Sequence, residues 1–445
     1  MPAVSRLSYS DPDYIAMREI ESVPETDSAH LPPLPPEVSI EALVKERYEA
    51  PDSRDIFAKV QGLKLVDRAR DLGIYPFFQA LDNNDGPEAQ VNGQRVLMFG
   101  SNNYLGLTRH PYVIEAARDA ISTYGTSMTG SRLLNGTTKL HEQLEETIAE
   151  FLHTEAALVF TTGYQANLGI ISSLVDRRSV AVVDKADHAS IYDGADLAEG
   201  DLIRFRHNDT QHLEQVLTRT EKSPLVVVDG VYSMGGDIAP LPGIIDVCRR
   251  RNARILVDDA HALGVIGDGG RGTGSHFGLE SDVDLVMGTF SKSLASIGGF
   301  VAGRRDVLDW IKHFARSMLF SASLPPASTA AALASLEVLQ REPEMVTHLQ
   351  QLGSLWREGL RDMGFDVGGS QTPIVPVNVG DEYRTVMFWK ALLAEGVYTN
   401  PAIYPAVNMK EAILRTSCMA THTEAMIAQA LDKFRLVGRK LGVIS

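Results

Sequence analysis

Between about Pro111 and Gly303, short apolar runs alternate with stretches whose apolar residues recur every three to four positions. The runs Ala157 to Phe160, Ser179 to Val183, Leu202 to Phe205, Pro224 to Val228, Arg254 to Val257, Asp284 to Met287 and Phe300 to Ala302 have the length and composition of strands. The segments between them have helical spacing, so the pattern predicts an α/β fold with a large, mostly parallel sheet covered by helices. Upstream, the spacing of Phe57, Val60, Leu63, Val66, Ala69 and Leu72 predicts a helix between Asp55 and Asp82, and the Asn92-Gly93 pair predicts a hairpin turn. From about Arg341 the pattern gives a helix over Met345 to Met363, strand near Pro373 to Val379 and a terminal helix over Thr423 to Leu441.

The expected organisation has four parts. Residues 1–54 form an N-terminal extension whose acidic, proline-bearing composition (Pro32, Pro33, Pro35, Pro36) favours extended or disordered chain. An N-terminal segment over 55–110, a large domain over 111–335 and a smaller C-terminal α+β domain over 336–445 follow. No internal repeat interrupts this order.

Composition narrows the function. A net charge of -15 without a Lys/Arg run excludes a nucleic-acid binder, which needs a basic patch for phosphates. Cys248 and Cys418 alone build neither a disulfide framework nor a metal site, and the polar N-terminus lacks the apolar core of a signal peptide, so a reduced cytoplasm is expected. The most apolar stretch, Ala156 to Val175, contains Gln165 and Asn167 and fails as a membrane span. Peripheral contact with the inner membrane is compatible with this reading.

The candidate chemistry lies at strand ends. In Gly288-Thr289-Phe290-Ser291-Lys292-Ser293 a lysine follows one strand, and in Val257-Asp258-Asp259-Ala260-His261 an aspartate ends another. A lysine that can form a Schiff base and an aspartate that can hold a pyridinium proton are what pyridoxal 5'-phosphate (PLP) chemistry asks of a protein. A lone lysine is usually a surface lysine, and Asp258 could be a turn or capping residue, as Asp259 could; the pairing is what raises them. His261 could contact the cofactor or the substrate, and His188, in Asp187-His188-Ala189-Ser190, could stack on a ring, although either alone reads as structural. Gly163 and Tyr164 open a helical segment after a strand, where free N–H groups could take a phosphate, with hydroxyls from Thr289, Ser291 and Ser321. Arg415, in the strand-like Ile413-Leu414-Arg415-Thr416-Ser417, needs an anionic partner, either an internal Asp or Glu or a substrate carboxylate.

Two motifs fail. Gly267-Asp268-Gly269-Gly270-Arg271-Gly272 matches a dinucleotide fingerprint but comes nine residues after a strand end and opens no clear helix, and Gly288 to Ser293 lacks a residue and a glycine that a P-loop needs.

Together, Val257 to His261, Asp187 to Ser190, Asp229-Gly230-Val231-Tyr232-Ser233-Met234, Gly288 to Lys292 and Ala420-Thr421-His422-Thr423 resemble the α-oxoamine synthases, PLP-dependent fold-type I transferases, over roughly residues 60–440. Phe290-Ser291 before the lysine, where glycine-using members usually carry Leu-Gly, and Leu294 to Phe300 after it look like the serine palmitoyltransferase branch. The resemblance implies a decarboxylating condensation of L-serine with a long-chain acyl-CoA to a 3-keto long-chain base. It implies that Lys292 forms the Schiff base and carries protons, Asp258 holds the pyridinium and His188 stacks. It further implies that His261 and Thr289 contact the cofactor or its phosphate, and that Asn103 and Arg415 hold the substrate carboxylate. A homodimer with shared active sites is implied too, with Ser321 and Ser323 reaching the partner's phosphate. A mobile arginine of some bacterial members is absent, its place taken by Ile403. Two other readings are weighed: another amino acid with a short or carrier-protein-bound acyl thioester, and a non-catalytic partner subunit, which would be expected to lack the lysine.

Overall fold

The computed structural model describes residues 54–58, 60, 64–404 and 406–445, so residues 1–53 of the expected N-terminal extension lie outside the described residues. Fourteen strands are described: β1 (Asn83–Asn84), β2 (Glu88–Val91), β3 (Gln94–Met98), β4 (Ala156–Phe160), β5 (Ser179–Asp184), β6 (Asp201–Phe205), β7 (Ser223–Asp229), β8 (Arg254–Asp258), β9 (Leu285–Thr289), β10 (Gly299–Gly303), β11 (Ile374–Gly380), β12 (Val397–Tyr398), β13 (Asn400–Ala402) and β14 (Ala412–Ser417). Each of the seven expected central strands is present within one or two residues at either end.

The central sheet has the order β4-β10-β9-β8-β7-β5-β6. Its strands from β9 through β6 run parallel, and β10 is antiparallel to both neighbours. Both faces are buried, which is why its strands are continuous apolar runs rather than alternating ones. On β5, Ala181 and Val183 join the core that packs on the helices Gly163–Leu174 and Arg305–Phe314, while Val180 and Val182 join the core beneath Thr210–Arg219 and Leu241–Arg250.

A three-stranded antiparallel sheet, β11-β14-β13, belongs to a third and larger core. It packs with the helices Glu344–Asp362 and Glu424–Lys440, both at the expected places, and Trp356 is fully buried there. The Asn92-Gly93 turn joins β2 to β3 with both residues at positive φ (50° and 75°), the geometry that matches hairpin twist. β12 then pairs parallel to β3 and ties this hairpin to the C-terminal part of the chain.

The helix expected across Asp55 to Asp82 is shorter. It is described over Lys64–Asp71 only. Gly73 at φ 62° ends it, with Ile74 N–H returning to Ala69 O, the bonding of a left-handed C-terminal cap. Among the described residues, no helix is long and apolar enough to cross a membrane.

Candidate active site

Parallel strands aim their carboxyl ends at one edge of the sheet, where ligands bind in such folds. Asp184, Asp229, Asp258 and Thr289 are the last residues of β5, β7, β8 and β9. Asp258 is buried, and its oxygens accept from Asn167 Nδ2 at 2.7 Å and from the Ala260 N–H at 3.0 Å. Asp229 is its register neighbour and accepts from the His188 backbone N–H. Burial, then the Asp258 charge, pushes the Asp229 carboxyl well above the usual range. Asp259 is held by a segment 14 residues on: it accepts from Thr273 N at 2.9 Å and Oγ1 at 2.6 Å, and burial pushes it up to about 7.

Lys292 lies in the turn that follows β9. Burial pulls its amine down to about 8, against the opposing pull of Asp258 and Asp229. About a tenth of such an amine is neutral at pH 7, against a few parts in ten thousand at an ordinary lysine. His188 caps the helix Ala189–Asp196, and its Nδ1 accepts the Ser190 N–H at 3.2 Å. His261 Nδ1 lies 2.7 Å from the Tyr104 hydroxyl. Burial, followed for His261 by the charges of Lys292 and Arg415, lowers both imidazoles, so both are neutral at neutral pH.

Arg415, on β14, is buried and donates through Nε to Ser233 O at 2.6 Å and through Nη2 to the Tyr104 hydroxyl at 3.2 Å. Among the described residues it has no Asp or Glu partner, so the internal ion pair allowed by the sequence is not what forms. Asn103 donates through Nδ2 to Thr108 Oγ1 at 2.9 Å, and its Oδ1 is buried without a partner.

The helix Gly163–Leu174 starts beside this edge. Thr162 caps it by accepting the Gln165 N–H at 3.1 Å, which leaves the N–H groups of Gly163 and Tyr164 without helical acceptors. A Cβ on Gly163 would come within 3.0 Å of Thr289, and one on Gly299 within 2.5 Å of Gly163, so glycine at both keeps the cradle open. Thr289 Oγ1 bonds Gly298 O, with Ser291 Oγ 2.8 Å away. Ser321 Oγ accepts from Gln165 Nε2 at 3.1 Å, next to the cradle of its own chain. Ser323 goes elsewhere: it is buried against the 130–136 loop, its N–H bonded to Gly130 O.

A model of the aminotransferase class I and II family matches residues 94–434. The chain belongs to this family. A serine palmitoyltransferase of Sphingobacterium spiritivorum is 45% identical over 377 residues, 84% of this chain and 94% of that protein. An 8-amino-7-oxononanoate synthase of Thermoanaerobacter pseudethanolicus is 38% identical over 382 residues, 85% and 97% of the two chains. Among solved structures, a serine palmitoyltransferase from S. paucimobilis with a bound PLP–myriocin aldimine superposes with a TM-score of 0.86 at 39% identity, covering 88% of this chain and all of that one.

The fit to the cofactor of this PLP-dependent family can be judged on the chain's own atoms. A partly neutral buried amine, a buried carboxylate at a strand end and an open helix start with two unclaimed N–H groups are complementary to an aldehyde, a ring nitrogen and a phosphate. Asp258, His188, His261 and Arg415 each lie within electrostatic reach of Lys292, with Gly163 and Thr289 in contact alongside. Sequence reasoning missed Tyr104, which joins His261 to Arg415, and Asn167, which holds Asp258; a loop tyrosine and a mid-helix asparagine carry no local signal of such roles.

Proposed function

We propose that this chain is a serine palmitoyltransferase: it condenses L-serine with a long-chain acyl-CoA, releasing CO2 and CoA and giving a 3-keto long-chain base. The observation that carries the reading is Arg415, a buried guanidinium without a carboxylate partner among the described residues, within electrostatic reach of Lys292 and His261. An amino-acid carboxylate completes it. Serine as the amino acid is supported by the higher identity to the serine palmitoyltransferase than to the 8-amino-7-oxononanoate synthase, 45% against 38%.

PLP bound here supplies an aldehyde for amine exchange and a ring that withdraws electrons from the serine Cα. Lys292 Nζ, partly neutral, is the residue that takes the Cα proton. Asp258 would hold the ring nitrogen, where a carboxylate favours a proton, and neutral His188 would cover the ring. Arg415 and Asn103 hold the serine carboxylate until it leaves as CO2. The N–H groups of Gly163 and Tyr164, with Thr289 and Ser321, hold the phosphate. The enzyme works as a homodimer in this reading, since Leu133, Leu134 and Phe320 expose large apolar side chains on the loops that bear Ser321 and contact Ser323.

Arg415→Lys keeps the charge but loses the planar fork. Steady-state kinetics are expected to show serine KM raised about 10- to 100-fold, the size of a charge-assisted hydrogen bond, with the visible absorbance of the PLP-loaded protein retained. An unchanged serine KM would remove Arg415 from the carboxylate site.

A further inference from the structure

Asn167 has no part in the chemistry so far, yet it is fully buried one helical turn from the phosphate cradle. Its Nδ2 donates to Asp258 Oδ2 at 2.7 Å and to Ser190 Oγ at 2.9 Å. Ser190 is also buried, and its Oγ lies 2.8 Å from His188 Nδ1. The direction of this chain follows from the donor inventory. An amide nitrogen only donates, so Ser190 Oγ accepts from Asn167 and its own hydrogen points to His188 Nδ1, which also takes the Ser190 N–H at 3.2 Å. With Nδ1 accepting, neutral His188 carries its hydrogen on Nε2. A flipped amide would set oxygen against the Asp258 carboxylate, so the amide has one workable orientation. Asn167 Oδ1 is left buried without a partner, which a residue kept only for packing would not need.

We propose that Asn167 is a positioning residue whose one amide group orients the Asp258 carboxylate and, through Ser190, the His188 ring, coupling the two groups that flank the cofactor. The inference rests on the PLP reading above. Its claim is that the Asn167 amide, by donating to Asp258 Oδ2 and Ser190 Oγ at once, fixes the direction in which the Asp258 carboxylate and the His188 ring face the cofactor.

The test compares Asn167→Ala, Asn167→Asp and Ser190→Ala in PLP-loaded protein. The readouts are the pH midpoint of the visible absorbance, kcat and serine KM separately, and the ¹⁵N shifts of His188. Asn167→Ala is expected to move the midpoint by about one pH unit and to lower kcat about 10- to 100-fold, with serine KM changed less than about threefold, since one hydrogen bond to a charged group is lost and no substrate contact is. Asn167→Asp, of nearly equal volume, keeps the packing but sets a carboxylate on Asp258 and reverses the Ser190 hydroxyl. It is expected to shift the midpoint further and to weaken the unprotonated-Nδ1 signature of His188. Ser190→Ala is expected to alter the His188 shifts and to leave the midpoint within about 0.3 unit. If Asn167→Ala fails to fold, Asn167→Asp decides alone. Variants that lose thermal stability but keep the wild-type midpoint and kcat would overturn the proposal and leave Asn167 a packing residue. A wild-type protein that gains no visible absorbance with PLP would instead sink the underlying reading.

Discussion

Lys292→Ala protein mixed with PLP and freed of unbound cofactor is expected to lack the aldimine absorbance of the wild-type protein and to lose at least about 10³-fold in turnover, with its melting temperature little changed. Two jobs fall to the same amine. It is the nucleophile that holds the cofactor, and in the reading above it is the base at the serine Cα, a role that alone typically contributes about 10²- to 10⁴-fold. Lys185 follows β5 at the same edge but is exposed, whereas burial desolvates the Lys292 amine within reach of Asp258 and Asp229, so Lys185 is not placed to replace it. Stability should survive because a partly desolvated amine is removed and no ion pair of Lys292 within 4.0 Å is broken. Absorbance spectra with and without PLP check this directly. An unchanged aldimine absorbance in the variant would mean that another amine takes the cofactor, and Lys292 would lose both roles.

The second large effect is expected from Asp258→Asn. Asp258 accepts two hydrogen bonds, from Asn167 Nδ2 and the Ala260 N–H, and an amide can accept from only one of them on its oxygen while its nitrogen faces the other donor. That mismatch costs about 1–3 kcal/mol of stability, tolerable for a protein of this size. The functional loss is larger. A neutral amide no longer stabilises positive charge on a buried ring nitrogen, and removing one member of a buried charge pair costs about 3–5 kcal/mol, which is about 10² to 10⁴ in kcat. PLP binding should fall far less, because Gly163, Tyr164 and Thr289 are untouched. Titrating PLP into the apo-protein and measuring kcat on the loaded one separates the two; near-normal kcat would refute the assignment of Asp258.

The central sheet was legible because its strands are buried on both faces, so each is an unbroken apolar run. The strand-end chemistry was legible for the same reason: Asp258 and Lys292 break or follow such runs. Tyr104 and Asn167 were not. They reach the site across 157 and 91 residues of chain, contacts that only the fold creates. The two serines of Phe320-Ser321-Ala322-Ser323 look equivalent in sequence, yet Ser321 bonds Gln165 while Ser323 is buried against Gly130. The N-terminal helix ends at Asp71, beside Leu72, where its apolar spacing ends before Gly73, short of the expected Asp82. For Arg415 the sequence allows an internal or an external anion, and its burial without an acidic partner among the described residues favours the external one.

The central claim is the choice of serine and a long acyl chain. A site built to hydrogen-bond a hydroxyl rejects the analogue without it by about 10⁴ or more, whereas apolar pockets discriminate by roughly 1 to 3 kcal/mol per methylene. Equal amounts of labelled L-serine and glycine are therefore offered together with palmitoyl-CoA, and the products are separated by mass. The predicted result is almost exclusively the serine-derived 3-keto base; predominant glycine product, or turnover only with acetyl-CoA or a carrier-bound acyl group, would contradict it.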